Sequence, residues 1–195
     1  NVVISVDGWL TGYNTDGEGL IRSLLEQGVS DFSNRKVVVL GAGGTARAVA
    51  AALLDRGIPA LSMLNRSPER AEAAVDSLSV VAGGAELRTG GLSAEEFADH
   101  GEQAHLVVNC TSGPAAPAIA KLNPGVLADG AVWVDANYWM EEPPNQSLCA
   151  HLGVDFHTGH SMLLHQGALA FELFTGHPVE AAEIREFMPA RIRAS

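Results

Sequence analysis

Two stretches of this chain have the residue types and spacing that binding chemistry needs. In the first, Gly41-Ala42-Gly43 interrupts the apolar run Lys36 to Leu40 and leads at once into an alanine-rich segment, Ala46 to Leu54. In the pattern Gly41-x-Gly43-x-x-Ala46 the first glycine makes a tight turn and the second lets backbone N–H groups approach a pyrophosphate. The small third residue lets the helix pack closely on the strand. Phosphates then sit at the positive end of that helix, against its unpaired N–H groups. A plain strand-to-helix turn is the competing reading, and the flanking elements favour nucleotide binding.

The second stretch is Asn65-Arg66-Ser67 with Arg70 one helical turn on. It closes the next strand, where an Asp or Glu would bind the ribose 2′-OH of NAD and an arginine accommodates the 2′-phosphate of NADP. No carboxylate holds that position, and two guanidiniums can fork onto a phosphate. Ser67 can cap the following helix, with Pro68 favoured at its first position. Acidic residues are the usual choice at a helix start, so two arginines there point to a bound anion and to NADP.

These residues need a frame. The pattern predicts strands at 36–41, 59–64, 85–89, 105–109, 131–135 and 153–156, and helices at 44–56, 68–78, 93–99, 144–152, 160–175 and 178–187. Such alternation gives right-handed crossovers and a parallel sheet covered on both faces. The fold class is α/β, a Rossmann-type doubly wound parallel sheet. Ahead of it, Val2 to Val6 and Trp9 to Gly12 read as a hairpin around Asp7-Gly8. A helix carrying Leu20, Ile21, Leu24 and Leu25 follows, with Thr15 and Glu18 spaced as a capping box and Gly28 at its end. The expected division is a lead-in strand and linking helix over 1–28, then a nucleotide-binding domain with a C-terminal linking helix over 29–195.

The 195 residues, 47% apolar, suffice for one good core. No apolar run approaches the ~20 residues of a membrane span, and Asn-Val-Val-Ile-Ser is not a signal peptide. Cys110 and Cys149 make no disulfide framework, so a reducing cytoplasm is the expected setting. A net charge of −11 without a basic stripe argues against nucleic acid. His151, His157, His160 and His165 with Cys149 match no zinc spacing, and no metal is expected. Monomer and homodimer are both compatible with the chain.

With these pieces in place the sequence resembles shikimate dehydrogenases from end to end. The carrying motifs are Gly12-Tyr13-Asn14-Thr15-Asp16-Gly17, Gly41-Ala42-Gly43-Gly44-Thr45-Ala46-Arg47-Ala48, Asn65-Arg66-Ser67, Asn109-Cys110-Thr111-Ser112, Asp135 with Tyr138, and Gly159-x-x-Met162-Leu163-x-x-Gln166. The resemblance implies reversible NADPH-dependent reduction of 3-dehydroshikimate to shikimate, within aromatic amino acid biosynthesis. It implies that Asp16 contacts the substrate hydroxyls and partners a catalytic lysine, and that Asn1 and Gln166 bind the polyol acid. Tyr138 would lie near nicotinamide and substrate. Gly41, Ala42, Gly43, Gly44, Thr45 and Ala46, with Thr111 and Ser112, would line the cofactor, with Gly159 and Met162 near its nicotinamide. Asn65, Arg66, Ser67 and Arg70 would hold its 2′-phosphate. These roles suit the side chains: a helix-start carboxylate stays ionised, an amide both donates and accepts, and oxidation of a secondary alcohol needs a proton moved at its oxygen.

The lysine itself matches neither Lys36, which enters the first sheet strand, nor Lys121, which follows Ser112. The expectation is therefore the cofactor-binding part of a longer enzyme, turning over shikimate poorly or not at all by itself. Tyr138 and His160 rank below that lysine as proton donors. The alternatives are a quinate, aminoshikimate or glutamyl-tRNA-reductase-like dehydrogenase, and a non-catalytic NADPH-binding module.

Overall fold

The computed structural model describes residues 1–188. They form two compact units, one of residues Asp31–Gly159 and one of Asn1–Ser30 with the chain from His160 onward. In chain order the elements are β1 (Val2–Val6), β2 (Trp9–Tyr13), α1 (Asp16–Glu26), β3 (Lys36–Leu40), α2 (Gly44–Asp55), β4 (Ala60–Asn65), α3 (Pro68–Leu78) and β5 (Glu86–Gly91). They continue with α4 (Ala94–Gly101), β6 (Leu106–Asn109), α5 (Ala116–Ile119), β7 (Val132–Asp135), α6 (Gln146–Leu152), β8 (Asp155–Thr158), α7 (His160–Thr175) and α8 (Ala181–Arg185).

In the Asp31–Gly159 unit the six strands pair in parallel in the order β5-β4-β3-β6-β7-β8. Strand order therefore reverses between β3 and β6, the switch point of a doubly wound sheet, where ligands bind beyond the carboxyl ends of the strands. The β-branched run Val37-Val38-Val39 is fully buried, as strands covered on both faces must be. Around it pack Leu61, Met63 and Leu64 of β4, Leu106 to Val108 of β6 and Trp133 of β7. The Trp133 ring lies 5.7 Å from that of Phe97 on α4, tilted by 52°. Burial of an aromatic pair in this geometry adds to its area contribution.

In the other unit β1 and β2 form an antiparallel hairpin in which Val6 pairs with Trp9. Asp7 and Gly8 both take positive φ, 51° and 83°, the requirement of a two-residue turn whose twist matches the strands. Helix α1 ends in a full Schellman closure: Val29 N–H donates to Leu24 C=O at 2.9 Å and Gly28 N–H to Leu25 C=O at 3.0 Å, with Gly28 at φ 86°. It buries Leu20, Ile21 and Leu24 and packs along α7. At Gly19 the two helices are so close that a β-carbon would stand 2.7 Å from Gln166 Cβ and 2.9 Å from its backbone nitrogen.

Glu26, the last residue of α1, ties this unit together. Its carboxylate accepts from Ser161 Oγ at 2.5 Å, lies 3.2 Å from His165 Nε2 and accepts from Arg185 at 3.2 Å. Burial pushes this carboxyl upward. The Ser161 hydroxyl, the His165 imidazole and the Arg185 guanidinium outweigh it and hold the group below its ordinary 4.5.

The structure departs from the sequence reading in particular places. The capping box at Thr15 and Glu18 does not form, because Thr15 Oγ1 is engaged by Asn1 and Gln166. A capping box forms instead at Glu180 and Glu183, ahead of α8. Ser67 holds the N-cap position of α3 with Pro68 behind it but makes no side-chain cap. The last strand lies at Asp155–Thr158 rather than 153–156, since Gly153 at φ 73° is still closing α6. The final helix spans Ala181–Arg185 rather than 178–187. The long C-terminal helix α7 groups with residues 1–30, not with the sheet domain expected over 29–195.

Two predictions follow from the packing of α1. Gly19→Ala lowers unfolding free energy by about 1–3 kcal/mol, the cost of overpacking against backbone, read as an earlier urea midpoint. The lowered Glu26 carboxyl contributes stability that is complete above its ordinary value of 4.5 and is lost as pH falls through the depressed folded value. Thermal melts between about pH 6 and pH 3 therefore show a shallower acid decline in Glu26→Gln than in the parent protein.

Candidate nucleotide and polyol sites

At the switch point, β3 ends in Leu40 and the chain turns through Gly41, whose φ is 105°. A β-carbon there would lie 3.1 Å from the carbonyl oxygen of Cys110, so glycine is required by both conformation and space. Gly41 N–H donates to Leu64 C=O at 2.7 Å and Cys110 N–H to Leu40 C=O at 2.8 Å, stitching the three strand ends together. Gly43 is the N-cap of α2 in an extended conformation. Side chains at Gly43 or Gly44 would meet nothing within 4 Å. Open backbone at a helix start is what a phosphate needs.

A cleft of about 350 Å³ opens here, walled by Gly41, Ala42, Gly43, Asn65, Arg66 and Arg70 and, across from them, by residues from Leu92 to Ala115 that include Cys110, Thr111 and Ser112. No carboxylate belongs to that wall. Asn65 uses its Nδ2 to donate to Ser67 C=O at 2.9 Å, which shapes the turn before α3. Ser67 itself is not part of the wall. The residues present fit a 2′-phosphorylated dinucleotide: unobstructed glycines at a helix N-terminus, two guanidiniums at the end of the second strand and no competing acid. Ala46 is buried against the sheet.

A second cleft of about 320 Å³ lies beyond β6 and β7, walled by Thr45, Cys110, Thr111, Ser112, Ala136, Asn137, Tyr138 and Trp139. Tyr138 meets Trp139 edge-on, with centroids 5.2 Å apart. Gly159, after β8, has no room for a side chain because one would strike the Ala136 carbonyl. Below these loops lies a buried polar chain that the sequence reading did not assemble. Asp135, wholly buried, accepts from Asn109 Nδ2 at 2.9 Å, from Asn137 N–H at 3.0 Å and from Asn137 Nδ2 at 2.6 Å. Asn109 Oδ1 in turn accepts from Thr111 N–H at 3.1 Å and Thr111 Oγ1 at 2.7 Å. Burial pushes the Asp135 carboxyl above its ordinary value, and its three hydrogen bonds pull against that rise. The available signal was two polar residues, each closing an otherwise apolar strand. In the parallel register Asn109 and Asp135 are direct partners.

In the unit of residues 1–30 and α7, the residues matched to a polyol site converge. Asn1 Nδ2 donates to Thr15 Oγ1 at 3.0 Å, to Asp16 Oδ1 at 2.6 Å and to Gln166 Oε1 at 3.0 Å, and Asn1 Oδ1 accepts Thr15 N–H at 2.9 Å. Asn14 Oδ1 accepts the Asp16 N–H at 2.9 Å and fixes the start of α1. Three side chains far apart in sequence, Asn1, Asp16 and Gln166, thus form one hydrogen-bonding surface. Met162 is buried on α7, four residues before Gln166, and His160 opens that helix.

Neither lysine of the chain lines a cleft. Lys36 donates its Nζ to Glu102 C=O at 2.7 Å, at the amino end of β3. Lys121 follows α5 and belongs to neither wall. Cys149 is buried, which pushes its thiol up to about 12. His165 is engaged with Glu26, and among the described residues no cluster of three or more His, Cys, Asp or Glu has metal-binding geometry. No helix of the described residues is long and apolar enough to cross a membrane.

Comparison with known proteins agrees with this architecture. Residues 23–121, half of the chain, match the family described as shikimate/quinate 5-dehydrogenase, and residues 159–186 match the shikimate 5′-dehydrogenase C-terminal domain. The NADP(+) shikimate dehydrogenase of Magnetococcus marinus is 35% identical over 185 residues, covering 93% of this chain and 64% of the relative. The chain thus spans a little under two thirds of that relative's length. Shikimate 5-dehydrogenase of Listeria monocytogenes, solved with shikimate and NAD, superposes with a TM-score of 0.82 at 26% identity, over 95% of this chain and 66% of that one. The Thermus thermophilus enzyme, solved with NADP(H) and shikimate, gives 0.75 at 29% identity over 98% and 66%. A doubly wound sheet with its glycine turn at the switch point, and these matches along its length, lead to one conclusion: the chain belongs to the shikimate/quinate 5-dehydrogenase family.

Proposed function

We propose that this chain provides the cofactor domain and part of the polyol site of an NADP-dependent oxidoreductase, which interconverts 3-dehydroshikimate and shikimate in the cytoplasm. The observation that carries the cofactor is the wall holding Arg66 and Arg70 with no carboxylate. The nicotinamide, when bound, exchanges a hydride with the ring carbon that bears the reacting oxygen.

The protein's own groups bind and orient. Backbone N–H groups at Gly43 and Gly44 and the start of α2 meet the pyrophosphate. Arg66 and Arg70, with Asn65 shaping their turn, neutralise the 2′-phosphate. Thr111 and Ser112 offer hydroxyls to the ribose and amide side. Asp16, Asn1 and Gln166 orient the substrate hydroxyls, since together they offer both donors and acceptors. Asp16 also orients the lysine that carries the proton at the reacting oxygen, a residue that is neither Lys36 nor Lys121. Tyr138 and Gly159 shape the nicotinamide surroundings. The substrate is a small polyol acid such as shikimate, and the NADP(+) preference carried in the name of the Magnetococcus relative supports the reading.

The test is steady-state formation of NADPH from shikimate and NADP⁺ by the full-length protein. Arg66→Ala and Arg70→Ala each raise KM for NADP⁺ by about tenfold, since a charged hydrogen bond contributes about 1.5–3 kcal/mol, and leave KM for NAD⁺ nearly unchanged. Asp16→Asn lowers kcat by about 100-fold. Equal effects of the arginine substitutions on both cofactors contradict the 2′-phosphate assignment.

A further inference from the structure

Asn109, Asp135 and Asn137 have no part in the proposed reaction, and the buried chain they form with Thr111 has the most determinate geometry outside it. Each hydrogen bond in it has one possible direction. Asn137 presents two donors, its N–H at 3.0 Å and its Nδ2 at 2.6 Å, to one oxygen of Asp135. The other oxygen accepts from Asn109 Nδ2 at 2.9 Å. The orientation of the Asn109 amide is set in turn, because its oxygen already accepts the N–H and the hydroxyl of Thr111. An Asp135 carboxylate, an acceptor at every position, satisfies all of these donors, and no other protonation or flip does. Asn109 and Asp135 are 1% and 0% exposed, so water cannot repair a mismatch and an error passes along the chain.

The two ends of the chain are the loops that wall the clefts. Thr111 belongs to both walls and Asn137 to the second. We propose that Asp135 is a positioning residue: acting through Asn109 and Asn137, it sets the backbone of the 110–112 and 136–139 loops where they face the nicotinamide half of the cofactor. The part concerning the cofactor rests on the NADP reading given above, whereas the setting of the loops does not.

The directional logic gives a test by exchange. Asp135→Asn puts an amide nitrogen against Asn109 Nδ2, donor against donor. Flipping the Asn109 amide only moves the conflict to the Thr111 N–H. Asn109→Asp sets two carboxylates against each other. The double substitution N109D/D135N restores every pairing with the same net charge. The new carboxylate at 109 accepts from Thr111 N–H, from Thr111 Oγ1 and from the new amide at 135, whose oxygen keeps both donors of Asn137.

The measurement uses the full-length protein in two readouts. In the first, without cofactor, hydrogen exchange at the Thr111 and Asn137 amides speeds up at least tenfold in each single variant and returns to within about threefold of the parent rate in the exchanged pair. In the second, the dissociation constant for NADPH, followed by its fluorescence, weakens about tenfold in each single variant and recovers in the pair. At saturating cofactor kcat stays within about threefold in all of them. A role confined to stability would lower melting temperature without this split between binding and turnover.

Unchanged exchange rates in soluble single variants overturn the positioning role. So does an exchanged pair that fails to fold, or that binds NADPH as weakly as the single variants. If the single variants do not accumulate, the exchanged pair alone decides, since it retains every bond. If the parent protein binds no NADPH, the cofactor reading fails, and the amide exchange rates still decide whether Asp135 sets these loops.

Discussion

The nucleotide cleft depends on how closely the carboxyl ends of β3 and β6 approach each other. Gly41 makes that approach possible. With φ at 105° and no side chain, its backbone passes the Cys110 carbonyl at a distance that any β-carbon would spoil. The close passage keeps Leu40, Leu64 and Cys110 hydrogen-bonded at the very end of the sheet. It also brings the start of α2 over the switch point, where strand order reverses. Gly43, Arg66 and Thr111 each follow within three residues of the ends of β3, β4 and β6.

The same device is used in the other unit. Gly19 lets α7 reach the backbone of α1, with Gln166 at the point of closest approach. That contact puts the Gln166 amide where Asn1 and Thr15 can reach it, and Asn1 where it can reach Asp16. In both units a missing side chain buys the proximity, and a carboxylate, half-exposed at Glu26 and buried at Asp135, secures what surrounds it. Glu26 ties α1 to α7 and α8, and Asp135 ties the ends of β6 and β7. Neither carboxylate lines a cleft, yet each is hydrogen-bonded to a segment that carries residues proposed for the site.

How much of this was legible in the sequence differs by kind of interaction. The sheet was legible because each of its strands is a short apolar run bounded by a glycine, proline or polar punctuation, and Val37 to Leu40 is the clearest. The glycine turn and the Arg66–Arg70 pair were legible as neighbours of one cleft because both are defined by local spacing at a strand end. Caps were not: Thr15 matched the local rule for a capping box, but its hydroxyl is taken by Asn1 and Gln166, partners 14 and 151 residues away. The grouping of α7 with α1 was hidden for the same reason, since it depends on Gly19 meeting Gln166. The Asn109–Asp135 pair was visible only as two polar endings on apolar strands. Seeing it required the register between β6 and β7, which a single sequence does not print.

The central claim is that the cleft at the end of β3 and β4 holds a nucleotide carrying a 2′-phosphate. It is tested most directly by isothermal titration of the protein with adenosine 2′,5′-bisphosphate and with adenosine 5′-monophosphate, which differ only in that group. The arginine-lined wall predicts that the bisphosphate binds at least tenfold more tightly, an advantage of about 1.4 kcal/mol or more, and that the advantage shrinks as salt is raised from about 0.05 to 0.5 M. Equal affinity for the two nucleotides, or tighter binding of the monophosphate, contradicts it.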